Sequence, residues 1–242
     1  MSSILDFLRV YSCDHKIRLG NLSDGGYVCA DIGNYDCYIS CGVSNEESFS
    51  RDFIEKYGMN AQNSFAFDGT IANYPYHYTN KITFYKKNIA PYQSPHHANL
   101  RFFIDKFDNI FLKMDIEGWE YPWLNSLSVK DLSKFKQIVI EFHGINDNSW
   151  NSSYSDKKLV FEKLNQTHYI VHLHGNNYSG TTNSIPDVIE VTYIRKTEFT
   201  SSPSLNNKPL PDPLLDYPCR NSMPDYNLNF EPFVFTYDKQ LN

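Results

Sequence analysis

The chain has 242 residues, 41% of them hydrophobic, a size and apolar content that suit one α/β domain or a domain with an appendage. Its formal net charge is -6, and its 22 Lys and Arg form no block denser than Lys86-Lys87 or Lys157-Lys158, which excludes a nucleic-acid stripe. Five cysteines (Cys13, Cys29, Cys37, Cys41, Cys219) without a Cys-x-x-Cys pair read as free thiols of a reducing, cytoplasmic compartment, and neither a basic leader nor a membrane-length apolar run is present.

In chain order, Ile4, Leu5, Phe7, Leu8 and Tyr11 share one helical face, which predicts a docking helix from Ser3 to Tyr11. Gly25-Gly26 before Tyr27, Val28 and Cys29 predicts a loop entering a short strand or hairpin. Cys37 to Cys41 reads as an apolar strand that ends at Gly42. Ser44 and Glu47 have capping-box spacing, Phe49, Phe53, Ile54 and Tyr57 form a helical stripe, and Gly58 stands at the helix end. "SFAFD" and "KITFYKKN" are the next strands, "ANLRFFIDKF" is helical, and "NIFLKMD" returns to strand. "QIVIEFHG", "HYIVHLHG" and "DVIEVTYIRK" are further strands, with the helix "SDKKLVFEKLN" between the first two. This alternation predicts a mainly parallel sheet with helices on both faces, the last two strands being antiparallel neighbours because no helical pattern joins them. From Thr200 onward seven of the twelve prolines accompany Leu214, Leu215, Tyr217, Phe230, Phe233, Phe235 and Tyr237. We therefore expect a domain over residues 1–199 and an extended tail over 200–242 packed on it.

Ligands of such sheets bind outside the carboxyl ends of the strands, and polar groups collect at these ends. Gly42 serves either a tight turn or a ligand's approach, since the three-glycine dinucleotide fingerprint is incomplete. Asp68 ends the second strand of the alternating unit, where a carboxylate accepts hydrogen bonds from ribose hydroxyls, and Asn88 lies near the end of the third. Without a Gly-rich phosphate cradle the expected ligand is adenosyl without pyrophosphate, S-adenosylmethionine rather than NAD. Asp115 and Glu117 either cap the helix expected from Trp119 to Leu127 or join Glu141 and His143, which face one side of the next strand. Asp115, Glu141 and His143 have the ligand types for Mg²⁺ or Mn²⁺, and His143 equally suits a general base. His172 and His174 also share a strand face, followed by Asn176 and Asn177; they suit either sugar hydroxyls or a solvated edge. His96-His97 reads as a polar loop, and Tyr74, Tyr76, His77 and Tyr78 as an aromatic loop that packs on itself.

"LKMDIEGWE", Leu112 to Glu120, resembles the central Lys-Met/Ile-Asp-x-Glu-Gly signature of the FkbM-type methyltransferases. The resemblance runs through "DGGYV", "SCGVSNEESF", "FAFD", "IVIEFHG" and "HGNNY...IPDVIEVTYIRK", about residues 17 to 196, and leaves the tail unmatched. It implies a Rossmann-like class I methyltransferase fold: a mainly parallel seven-stranded sheet with an antiparallel strand near one edge and helices on both faces. It also implies S-adenosylmethionine as donor, and commonly O-methylation of a sugar hydroxyl. Carried onto this chain, Gly42 with its neighbours Cys41, Val43 and Ser44 approaches the methionine part, Asp68 the ribose, and Asp115 the donor or a metal. Cys41-Gly42-Val43-Ser44 replaces the family's more usual Asp-x-Gly-x-x-x-Gly. The catalytic set expected is His143, Asp115 and Glu117, with His174, Asn176 and Asn177 at the acceptor. A non-sugar or phosphate-bearing acceptor, or a non-catalytic glycan-binding module, remain the other readings.

Overall fold

The computed structural model describes residues 3–75 and 80–236, so Tyr76, His77, Tyr78 and Tyr237 lie outside the described residues. A 3₁₀ turn (Ile4–Phe7) leads to a hairpin of β1 (Lys16–Leu19) and β2 (Tyr27–Ala30). There follow β3 (Cys37–Cys41), α1 (Ser48–Tyr57), β4 (Ser64–Phe67), β5 (Thr83–Tyr85), and the two-residue strands β6 (Asn88–Ile89) and β7 (His97–Ala98). Next come α2 (Arg101–Lys106), β8 (Ile110–Met114), α3 (Glu120–Ser126), α4 (Val129–Leu132), β9 (Phe135–His143) and α5 (Tyr154–Thr167). The sheet is completed around β10 (His168–Gly175), a small hairpin of β11 (Thr181–Thr182) and β12 (Ile185–Pro186), and β13 (Val188–Arg195).

Seven strands form one mixed sheet in the order β10-β13-β9-β8-β3-β4-β5. The pairings β4·β5, β3·β4, β3·β8 and β8·β9 are parallel, while β13 runs antiparallel to both β9 and β10. The reason is local. Crossovers through α1 and through α3 with α4, and the long connection from β4 to β5, return the chain to the same end of the sheet, whereas the β11–β12 hairpin between β10 and β13 lets the chain only double back.

Every residue of β3, β8 and β9 is buried, so these strands read as unbroken apolar runs, and their alternating side chains build two cores. On one face Tyr38, Phe111 and Val139 pack with Phe49, Phe53 and Ile54 of α1. On the other, Ile39, Leu112 and Ile140 pack with Ile104 of α2, Trp123 of α3 and Phe161 of α5. Phe53 lies 4.5 Å from the Tyr38 ring and 4.2 Å from Phe111, and burying such a side chain is worth about 1.5–3 kcal/mol.

Two local expectations are corrected. The opening segment makes one 3₁₀ turn and not a helix to Tyr11: Val10 and Tyr11 instead bridge Ile170 and Leu205, with the Tyr11 N–H on the Ile170 carbonyl. Cross-chain backbone partners replace the intrahelical ones. The Ser44–Glu47 capping box does not form either, because Ser44 has φ +49° and gives its N–H to Asp68, so α1 starts only at Ser48.

Among the described residues, 200–236 contain no regular helix and no multi-residue strand, yet they bury Leu210, Cys219, Leu228 and Phe233. Polar anchors hold the segment. Asn177 Nδ2 donates to the carbonyls of Arg220, Met223 and Pro224, and the Asn206 N–H donates to the carbonyl of Val10.

Candidate active site

The carboxyl ends of β3, β4 and β8 meet at one loop, and its tightness begins with Gly42. This residue has φ +79°, and a Cβ there would stand 1.6 Å from the Asp115 carbonyl oxygen, so glycine alone lets the two loops pass. The adjacent Val43 and Ser44 N–H groups donate to Asp68 Oδ2 at 2.9 and 2.8 Å. Asp68 Oδ1 accepts from the Thr70 N–H and hydroxyl at 2.7 and 2.5 Å. Burial pushes the Asp68 carboxyl up, but these donors outweigh it and hold its pKa below the ordinary carboxylate value.

Above this turn opens a cavity of about 660 Å³, within the usual range for a small-molecule site. Its lining is strongly acidic. Asp24, Glu46, Glu47, Asp68, Asp115 and Glu117 face Lys113, the only lysine or arginine that lines the cavity among the described residues. Lys113 Nζ donates to the Gly42 carbonyl at 3.0 Å and stands 3.8 Å from Asp115 Oδ2. Burial, then the neighbouring charges of Glu190 and Asp115, raise Asp24; burial also raises Glu117 and Glu47. Tyr27 donates its hydroxyl to Asp115 Oδ2 at 3.2 Å and, kept neutral by burial and then by that carboxylate, remains a donor.

Behind Asp115 sits His143 at the end of β9, buried and clasped by acids. Its Nδ1 lies 3.2 Å from Glu120 Oε1; its Nε2 lies 3.4 Å from Glu117 Oε2, 3.7 Å from Glu141 Oε1 and 4.0 Å from Asp115 Oδ1. Burial draws the imidazole pKa down, but the Glu120 hydrogen bond and charge, with Asp115 and Glu117, leave it above the ordinary histidine value. Trp150 covers the ring at 4.9 Å and is itself 42% exposed. The loop carrying it is pinned by the buried Lys157 of α5, whose ammonium donates to the carbonyls of Gly144 and Asp147. At Gly118, a Cβ would meet Trp150 Cβ at 2.7 Å, which ties the Glu117-Gly118 turn to the same aromatic.

A family model described as the methyltransferase FkbM domain matches residues 28–182, more than half of the chain. The chain belongs to the FkbM methyltransferase family. No curated protein matches its sequence. Methyl transfer is thus the activity its family carries, and methyltransferases generally draw the methyl group from S-adenosylmethionine. The matched span runs from β2 to β11, so β13 and the tail lie beyond it.

Within this FkbM domain, Gly42, Val43, Ser44, Asp68, Asn88 and Asp115 all line the cavity, but Cys41 does not: its thiol is wholly buried in the sheet core. His97 lines the cavity too, with Nδ1 2.9 Å from the Ser94 hydroxyl. Tyr74 is buried and donates to Glu47 Oε2. The expected acceptor residues sit elsewhere. His174 is held between Glu190 and Asp225, Asn176 Nδ2 donates to Glu141 Oε1, and Asn177 binds the tail, so tertiary partners occupy the polar groups expected to meet a sugar.

The metal trio shifts as well. Ligand atoms of Asp115, Glu117 and His143 lie within 4.8 Å of one another, while Glu141, engaged by Asn176, is outside that group. Sequence reasoning missed Glu120, the carboxylate that orients His143. It is fully buried, its Oε1 also accepts the Ile116 N–H at 3.0 Å, and Oε2 has no hydrogen-bond partner among the described residues. The available signal was its place at the first position of α3, from which a side chain reaches back over the preceding turn.

Proposed function

We propose that the chain transfers a methyl group from S-adenosylmethionine to a sugar hydroxyl of a glycan or nucleotide sugar. The observation that carries this reading is the acidic cavity at the ends of β3, β4 and β8. S-adenosylmethionine bears a sulfonium and an ammonium against one carboxylate, so a donor cavity rich in carboxylates favours it over a dinucleotide such as NAD, whose pyrophosphate would lie against that lining. The strand order, with β13 alone reversed, supports assigning the sheet to the Rossmann-like class I methyltransferase arrangement. Residues 1–199 are then the methyltransferase domain and 200–242 a tail docked on it. Free cysteines support a cytoplasmic setting, and no described helix is long and apolar enough to cross a membrane.

The residues fit the donor. Asp68 would take the ribose hydroxyls in place of its Thr70 bonds, because its four acceptor positions are otherwise filled. The Gly42–Ser44 loop and Asp115 would flank the methionine part, with Lys113 as the nearby cation and Asn88 beside the Asp68 turn, where it accepts the Gly69 N–H. When bound, S-adenosylmethionine supplies an electrophilic methyl group; the chain must orient a hydroxyl and take its proton. His143 Nε2 accepts that proton as general base. Glu120 at Nδ1 fixes the ring and stabilises the imidazolium that results; His143 itself does not line the cavity, and Asp115 and Glu117, which do, stand 4.0 and 3.4 Å from its Nε2 and would carry the contact between base and acceptor.

One observation favours a metal-assisted variant. Asp115, Glu117 and His143 present oxygen and nitrogen ligands close enough to share Mg²⁺ or Mn²⁺, which would acidify the hydroxyl instead. The test is incubation with S-adenosylmethionine and a panel of nucleotide sugars, glycans and phosphate-bearing acceptors, reading methylated product by mass, with and without chelator. A methylated sugar supports the proposal, and loss with chelator selects the metal variant. Methylation of other acceptors only would replace the sugar, and donor binding without turnover on any acceptor would point to a glycan-binding module.

A further inference from the structure

A second cluster of ligand-type side chains lies beneath the tail. His174 of β10, Glu190 of β13 and Cys219 of the tail are all buried, and they offer one ligand atom each within 4.8 Å of the others. His174 Nδ1 is 2.9 Å from Glu190 Oε2, and Cys219 Sγ is 3.4 Å from Glu190 Oε1. Zinc takes thiolate at about 2.3 Å and imidazole or carboxylate at about 2.0 Å, so tetrahedral ligands stand about 3.3–3.5 Å apart. The His174–Glu190 spacing needs to open by a few tenths of an ångström, and the Cys219–Glu190 spacing already matches.

The surroundings are those of a supported ligand set. His174 Nε2 is 2.9 Å from Asp225 Oδ1, the carboxylate partner on the other ring nitrogen that metal-bound histidines characteristically have. Glu190 and Asp225 flank one imidazole and leave negative charge for a dication to balance. A mixed sulfur, nitrogen and oxygen set selects zinc over magnesium or calcium.

We propose that His174, Glu190 and Cys219 form a three-ligand zinc site that fastens the tail to the β10–β13 edge of the sheet. The metal coordinates His174 Nδ1, a Glu190 oxygen and the Cys219 thiolate, whose proton passes to solvent, and water completes the fourth position. Asp225 orients His174 from behind. The site is independent of the proposed methyl transfer and shares no residue with Asp115, Glu117 and His143.

The test loads the full-length protein with Co²⁺ in place of Zn²⁺ and records thiolate-to-cobalt charge transfer, alongside metal content after dialysis against Zn²⁺. The expected result is about one equivalent of tightly held zinc. The charge-transfer band should be retained in Cys13→Ser and His143→Ala, abolished in Cys219→Ser, and reversed in the wild type by chelator, with faster trypsin cleavage in the tail. If Cys219→Ser fails to fold, the band in the wild type and in Cys13→Ser still decides. Absence of zinc and of a thiolate band in the folded wild type, or a band lost in Cys13→Ser, would overturn the site.

Discussion

Replacing Glu120 by Gln tests the proton-accepting role of His143 at its least exposed point. Glutamine keeps the shape and an oxygen for the Ile116 N–H, but it removes a fully buried charge 3.2 Å from His143 Nδ1. A hydrogen bond to a charged group contributes about 1.5–3 kcal/mol, so loss of that support for the developing imidazolium lowers the plateau rate roughly 10- to 150-fold. The pH dependence shifts with it. His143 is held above the ordinary histidine value, so the neutral base accumulates only as pH rises through that elevated value. In Glu120→Gln the rising limb moves to lower pH. Stability follows the same sign: the wild-type advantage is full below about pH 6.5 and declines as pH rises through the folded value. Histidine NMR titration reads the shift without an acceptor, and pH–rate profiles read the plateau. An unmoved His143 titration together with a rate unchanged within about 2-fold would refute the dyad, since a hydrogen bond of this kind cannot vanish silently.

Further expectations follow from the same geometry. His143→Ala should lower turnover by about 10²- to 10⁴-fold with donor affinity preserved, by calorimetry and steady-state kinetics; a fully active variant removes it as base. Gly42→Ala should cost about 1–2 kcal/mol from its left-handed backbone alone, and more as the Asp115 loop is displaced, so a lowered Tm and lost donor binding are expected; wild-type values for both would contradict the close approach. In the tail, burial would raise Asp216, but the His172 hydrogen bond at 2.8 Å and the Asp212 N–H hold it at about 2; burial in turn draws the His172 imidazole down, so near neutral pH the pair rests on the ionised carboxylate accepting from a neutral ring. The stability it contributes is present above about pH 3.9 and lost as pH falls through its folded value. Asp216→Asn should therefore lower the Tm by about 4–8 °C near neutral pH, a gap that closes in strong acid; a constant gap down to the most acidic pH measured would contradict an ionised Asp216.

The strands and their order of appearance were legible because β3, β8 and β9 are buried on both faces and so are written as continuous apolar runs. The antiparallel β10–β13 pairing was legible from the lack of a helix between them. Asp68, Asp115 and Gly42 were singled out because they stand at strand ends, where the chain's own order marks them, and all three line the cavity. Other features depended on contacts that sequence does not display. Ser44 looked like a helix cap, yet its N–H is drawn to Asp68, 24 residues away. Asn177 looked like a free rim amide, but it holds the carbonyls of Arg220, Met223 and Pro224. Glu120 was passed over for the more conspicuous Asp115 and Glu117, because what distinguishes it is the direction in which its side chain reaches.

Whether the acidic cavity receives S-adenosylmethionine is decided by calorimetric titration of the wild type and of Asp68→Ala with that donor and with S-adenosylhomocysteine. The wild type should bind saturably, roughly one-to-one, at micromolar concentration, with affinity weakened at least about tenfold in a folded Asp68→Ala by loss of the ribose acceptor. No heat of binding to the folded wild type, or equal affinity in the two proteins, would contradict a donor site there.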